Sequence, residues 1–253
     1  MANVLSMVRL SSVRIGRALR LAALAILSIG SAACSADVFD VDVALASHAY
    51  QADFGPSSGT IPTVACDPAM PSACGMGSML AVTTAVPATT DVSVDLGCDP
   101  TSSRCFAEAH ARVSYELDVL QDDAFVTKVE RHAISVVQSV DLAYTLPTNT
   151  LTFDVPAIDV YVGPAGATKE TDPGVVLVDS ISSIAAGTTF VADRRHLTLA
   201  EGSPGRALIV SSIQAKQPFV FVVVTAPRSE AGSPVPGGAF EIDIYPTVGL
   251  GLE

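Results

Sequence analysis

From Ala107 the chain alternates without a miss. Ala107, Ala109, Ala111, Val113, Tyr115, Leu117 and Val119 are apolar, and Glu108, His110, Arg112, Ser114, Glu116 and Asp118 stand between them. Period two is the pattern of a strand with one buried face. Helical spacing would spread Glu108, Arg112 and Asp118 around the whole cylinder and leave no dry stripe. At ~3.3 Å per residue the strand spans about 40 Å. Gln121-Asp122-Asp123-Ala124 reads as a polar turn. Val126 to Tyr144 then reads as a returning arm, with Ile134, Val136, Val140, Leu142 and Tyr144 in alternation. The two arms predict a long hairpin, and a bulge accommodates the parity change between Val129 and Ile134.

Turn residues bound further strand candidates: Val38–Leu45, Met79–Val86, Val92–Leu96, Leu151–Val155, Ile158–Val162, Val175–Ile184, Thr188–Leu199, Ala207–Ile213, Phe219–Ala226 and Phe240–Val248. Phe219 to Val224 is apolar on both faces, which predicts a central strand. Strand is preferred over a short helix for residues 178–186. Gly163-Pro164-Ala165-Gly166, Gly202-Ser203-Pro204-Gly205 and the stretch Gly232 to Gly238 carry loop chemistry. Residues 46–78, rich in Gly, Pro and Ser, read as a loop excursion. The expectation is one all-β domain: a two-sheet antiparallel β-sandwich with one long hairpin and disulfide-stapled loops. An outer-membrane barrel would need aromatic girdles that 9 Phe and 5 Tyr do not supply.

The N-terminus changes the picture. Arg9, Arg14, Arg17 and Arg20 precede a short apolar core, Leu21 to Ile29, and Gly30-Ser31-Ala32-Ala33 leads to Cys34. Basic, apolar and small-residue regions in this order make a secretory signal. The apolar run is half the ~20 residues that a spanning helix needs, and without an Arg-Arg pair it points to the Sec route. The segment resembles a bacterial lipoprotein precursor, which is cleaved before a Cys that then carries lipid. Ala32 and Ala33 match the small positions, while Ser31 replaces the usual Leu. The resemblance implies a signal over residues 1–33, an exported domain over 34–253, lipidation at Cys34 and attachment to the membrane through that lipid. Ser35 resembles the residue that sorts such proteins to the outer membrane. Ordinary secretion to the periplasm or beyond, with Cys34 unmodified, is the alternative.

The 253 residues carry 14 basic and 26 acidic side chains, a formal −12. Cleavage before Cys34 would remove four Arg and no acid, leaving a formal −16. Such a balance excludes nucleic acid as a partner, and its own charge opposes adsorption to anionic lipid. Half the chain (49%) is hydrophobic and only 16% is charged, so it folds.

The lipoprotein resemblance implies that the five cysteines divide into one acylated residue, Cys34, and an even four. Cys66-Asp67-Pro68 precedes Cys74, and Cys98-Asp99-Pro100 precedes Cys105. Asp-Pro starts tight turns, so each pair can close a loop of about nine residues. The crossed pairings are also possible on sequence alone. An oxidising compartment favours disulfides, and the Cys-x-x-Cys spacing of a zinc site is absent.

The chain contains no nucleophile elbow, His-Glu-x-x-His, P-loop, dinucleotide fingerprint or EF-hand loop, so neither catalytic residues nor a cofactor is expected. His110 and His132 would face each other across the predicted hairpin and, with Glu108 or Glu130, resemble a metal site. A solvated face with pairs such as Glu116 or Asp118 with Lys128 is the plainer reading. Asp37, Asp40 and Asp42, Asp91 and Asp95, and Asp118, Asp122 and Asp123 read as solvated carboxylates rather than calcium ligands, Arg194-Arg195-His196 as an exposed basic patch. With no Trp, a carbohydrate platform is not expected. The chain therefore reads as a non-enzymatic, lipid-anchored envelope protein, a structural or interaction module for an envelope protein partner. A carrier of lipid or another apolar ligand is the alternative, since Ala107–Ala111 leave room inside, and a hydrolase with a dispersed site ranks last.

Overall fold

Among the described residues the alternating segments become eleven strands in two antiparallel sheets. The computed structural model describes residues 39–56, 59–70, 74, 90–129 and 132–253, and residues 36–253 form one compact unit. In the first sheet, β11 (Ala239–Leu252) pairs on one side with β5 (Ile134–Asn149), which pairs in turn with β8 (Phe190–Leu197). On its other side β1 (Phe39–Ala44) and β2 (His48–Asp53) lie along successive halves of β11. In the second sheet, β4 (Cys105–Leu117) pairs with β3 (Thr90–Cys98) on one side and with β9 (Phe219–Thr225) and β10 (Arg228–Glu230) on the other. Beyond β9 come β6 (Val155–Pro164) and β7 (Val176–Ile184).

The inward rows fill the layer between the sheets. Ala107, Ala109, Ala111, Val113 and Leu117 of β4 share one buried cluster with Tyr50, Phe54, Leu142, Ile158, Phe221, Ile242 and Ile244. β9 is central and buried on both faces, as its sequence predicts. Its outward Val220 and Val222 form a second cluster with Ala167.

The long hairpin does not exist: β4 and β5 lie in different sheets. What looked like a turn and a bulge is a 3-10 turn, Val119–Gln121, followed by α1 (Asp123–Val129). Asp118 caps the first by accepting from Leu120 N at 3.0 Å, and Asp122 accepts from Phe125 N at 2.9 Å. Phe125 and Val129, four apart on one helical face, are fully buried. Lys128 meets the carbonyl of Asp42 rather than Glu116 or Asp118.

Residues 207–213 are also helical, within α2 (Pro204–Gln214). Ser203 is the N-cap, accepting from Arg206 N, with Pro204 in the first turn. Gly205, Ile209 and Ile213 recur every four residues on the buried side, so a run that reads as a strand is an amphipathic helix. Leu151 to Asp154 form the β5–β6 connection instead of a strand, β6 beginning at Val155. The 46–78 excursion contains β2, whose His48, Tyr50 and Ala52 point inward. Residues 176–184 are β7, as read. Met79–Val86 and Cys34 lie outside the described residues.

Candidate functional site

Both Cys-Asp-Pro segments make the turns that their sequence predicts. Asp67 Oδ1 accepts from Ala69 N at 2.9 Å, and Asp99 Oδ1 accepts from Thr101 N and Ser102 N at 2.8 Å. The Ser102 amide, the Arg228 guanidinium and the Thr101 amide together pull the Asp99 carboxyl down to about 2. The disulfides, however, do not close small loops. They are crossed: Cys66–Cys98 with Cα atoms 5.8 Å apart, and Cys74–Cys105 at 5.4 Å. Each joins the excursion to the β3–β4 ladder, where Cys98 stands directly opposite Cys105. Cys66 N also donates to Ser103 O at 3.0 Å, and Ala65 bridges Arg104. The pairing was unreadable because it depends on where β3 brings residue 98, which no local spacing encodes.

A cleft of about 370 Å³ opens where β2 of one sheet meets β4 of the other. His48 and Tyr115, both on inward rows, stack there with ring centroids 3.8 Å apart. Tyr50 meets the Tyr115 ring edge-on, with centroids 6.5 Å apart. Its hydroxyl is buried with no hydrogen-bond partner among the described residues, and burial pushes its pKa up. Burial lowers the His48 pKa, opposed by the Asp122 charge, so the ring is neutral at pH 7. Glu116, Asp118, Gln121 and Asp122 form the rim, with Ala46 and Leu117. Asp122 Oδ2 accepts from Ala46 N at 2.6 Å, tying the start of β2 to the α1 crossing. The carboxylates are therefore used first as caps and ties. Sequence reasoning missed this cleft because it placed His48 in a loop; the alternation His48, Tyr50, Ala52 was the available signal.

Outside the sandwich, residues 164–175 fold over β9. Arg112 Nε and Nη2 donate to Glu170 at 2.7 and 2.9 Å, and Nη1 meets Asp91 at 3.1 Å. This fork raises the Arg112 pKa and lowers that of Glu170. Gly166 N donates to Glu116 at 3.0 Å, pinning the other end. On β8 the expected basic patch is engaged. Arg194 lies over the Tyr245 ring and Arg195 over that of Phe190, at 3.9 and 4.1 Å, and His196 Nδ1 is 2.9 Å from Asp141 Oδ1.

With β4 and β5 in different sheets, His110 and His132 do not face each other across a ladder. His110 sits 3.6 Å from Glu108, and His132 Nδ1 is 3.3 Å from the Glu253 carbonyl. Among the described residues, the sulfurs of Cys66, Cys74 and Cys105 are the one group of three possible metal ligands within 4.8 Å of each other. All three are engaged in disulfides.

No family model matches the chain, and no curated protein does. Two solved structures are similar at a low level. One is described as showing the promiscuous specificity of carbohydrate-binding modules from the β-sandwich superfamily (11% identity, TM-score 0.24). It covers 62% of this chain, which spans about half (52%) of that one. The other is a chain of Desmodium yellow mottle tymovirus, with 10% identity, TM-score 0.27, and 99% and 96% of the two chains covered. At these scores neither likeness carries an argument. The sandwich assignment rests on the two sheets themselves, and among the described residues the motifs and clusters give no sign of a catalytic centre.

Proposed function

We propose that this chain is a non-enzymatic, lipid-anchored protein of the bacterial envelope, exported through Sec, whose β-sandwich is a structural or protein-interaction module. The observation that supports a module over a carrier is the filled layer between the sheets. The alanines of β4 are 0–3% exposed. The opening at the β2–β4 end has a rim of Glu116, Asp118 and Asp122, which is poor company for a hydrocarbon chain. The signal, Cys34 and the even cysteine count support the anchor. Only Ser35 to Val38 separate Cys34 from β1, roughly 15–18 Å at full extension, so the sandwich would stand close to the lipid surface. Two crossed disulfides suit a domain exposed to an oxidising compartment.

The test is expression of the full chain in a bacterium, with membrane fractionation and mass spectrometry of the mature N-terminus. The expected result is a chain beginning at Cys34 with a diacylglyceryl group, and Cys34→Ser released to the soluble fraction. Wild-type protein recovered soluble with an unmodified Cys34 would refute the anchor. Lipid co-purifying in stoichiometric amount with Cys34→Ser would favour the carrier instead.

A further inference from the structure

We propose that the four clustered cysteines exchange partners within the folded domain, so that a thiol converts the crossed pairing into Cys66–Cys74 and Cys98–Cys105. Two independent features place the alternative partners side by side. The sulfurs of Cys66 and Cys74 lie within 4.8 Å of each other and of that of Cys105. Cys98 and Cys105 are direct partners in the β3–β4 ladder, at the cross-strand separation that two linked cysteines require. Each alternative bond would thus join cysteines that already stand beside one another, one pair by its sulfurs and the other by its ladder register.

The exchange balances with one catalytic thiol. A low-molecular-weight thiolate attacks Cys98, the partly exposed member, forming a mixed disulfide there and releasing the Cys66 thiolate. That thiolate attacks the sulfur of Cys74, so the Cys66–Cys74 bond forms and the Cys74–Cys105 bond breaks. The freed Cys105 thiolate attacks the mixed disulfide at Cys98 and expels the original thiol. Nothing is oxidised or reduced overall.

The consequence is conformational. In the crossed form one covalent link ties Cys66, and a second ties Cys74, to the β3–β4 ladder. In the sequential form each bond closes within its own segment. Ala65 and Cys66 then keep to that ladder through the Cys66–Ser103 hydrogen bond and the Ala65–Arg104 bridge. Because the thiol is regenerated, it sets the rate at which the two pairings interconvert, and their relative stability in the folded domain sets the balance.

The test is peptide mapping of the mature protein after incubation in mixed reduced and oxidised glutathione, quenched by acid and alkylation. Cyanogen bromide at Met70, Met76 and Met79, with trypsin at Arg104, puts each of the four cysteines on its own fragment. Expected is growth of the sequential pairing from undetectable to at least a tenth of folded molecules. Recovery of the crossed pairing alone, or direct passage to fully reduced chain, at every glutathione ratio overturns the proposal. A second arm uses Cys98→Ser. Exchange distributes the alkylated free thiol between Cys66 and Cys105, whereas a fixed framework leaves it on Cys66 alone.

Discussion

The crossed pairing has a stability consequence that the sequential pairing lacks. Cys66 and Cys98 are 32 residues apart, but with Cys74–Cys105 intact the shortest closed path runs from 66 to 74, across that bond, and back from 105 to 98. The effective loop is then about 15 residues, for which the chain-entropy relation gives ~3 kcal/mol. The second bond, alone, closes 31 residues and contributes about 3.7 kcal/mol by the same relation. Two independent loops of eight or nine residues would contribute only about 5 kcal/mol together. The clean perturbation is Cys66→Ser with Cys98→Ser, because Cys66 is at the buried limit and Cys98 is partly exposed, so lost packing is small. Urea unfolding followed by circular dichroism should show ~3 kcal/mol lost, with a larger m-value because the unlinked chain unfolds to a less compact state, or a Tm lower by roughly 6–12 °C. Dithiothreitol acting on the wild type should cost about twice as much. A double variant within 1 kcal/mol of wild type would refute the loop accounting.

Three further outcomes follow from side chains with defined partners. Burial lowers the folded pKa of His48, so as pH falls the unfolded chain takes up this proton first; the His48 contribution is full above about pH 6.5 and is lost below it. The wild-type Tm should therefore drop more between pH 7.5 and 5.5 than that of His48→Gln, and equal drops would sink this reading. Glu170→Gln removes the charged half of the Arg112 fork and should cost about 1–2 kcal/mol in urea, with faster amide exchange confined to residues 164–175; global acceleration would contradict a local role. Phe125→Ala should cost about 3–5 kcal/mol, because the ring is fully buried beneath the crossing, whereas a residue beside an exposed hairpin turn would lose less than 1 kcal/mol.

The strands were legible wherever one face is dry. Alternation from Ala107 and from Phe240 predicted β4 and β11, and the two-sided apolar run at Phe219 predicted a central strand, because burial imposes these periods directly. The failures share another cause. Asp118, Asp122 and Ser203 are helix caps, and a cap is recognisable only beside the helix that it starts. Read without those helices, Asp122-Asp123 became a turn, the Val129–Ile134 parity change became a bulge, and Ala207–Ile213 became a strand. Pairing between sheets and between cysteines is set by where distant segments meet, so neither the sheet change after β4 nor the Cys66–Cys98 bond could be read from neighbours in the chain.

The location of free space reverses what side-chain size suggests. Small residues at Ala107, Ala109 and Ala111 promise a hollow, yet they are sealed, because small side chains let opposing layers close on them. The opening instead lies at the other end of the same strand, beside the large rings of Tyr115 and His48. There β4 leaves its sheet, and the 3-10 turn and α1 carry the chain across to β5. Two rings stacked across the gap brace the sheets apart while Asp122 ties the crossing to Ala46. A partner that reaches between the sheets at that end would meet aromatic faces and carboxylates, whereas Ala107, Ala109 and Ala111 are closed off within the packed apolar layer.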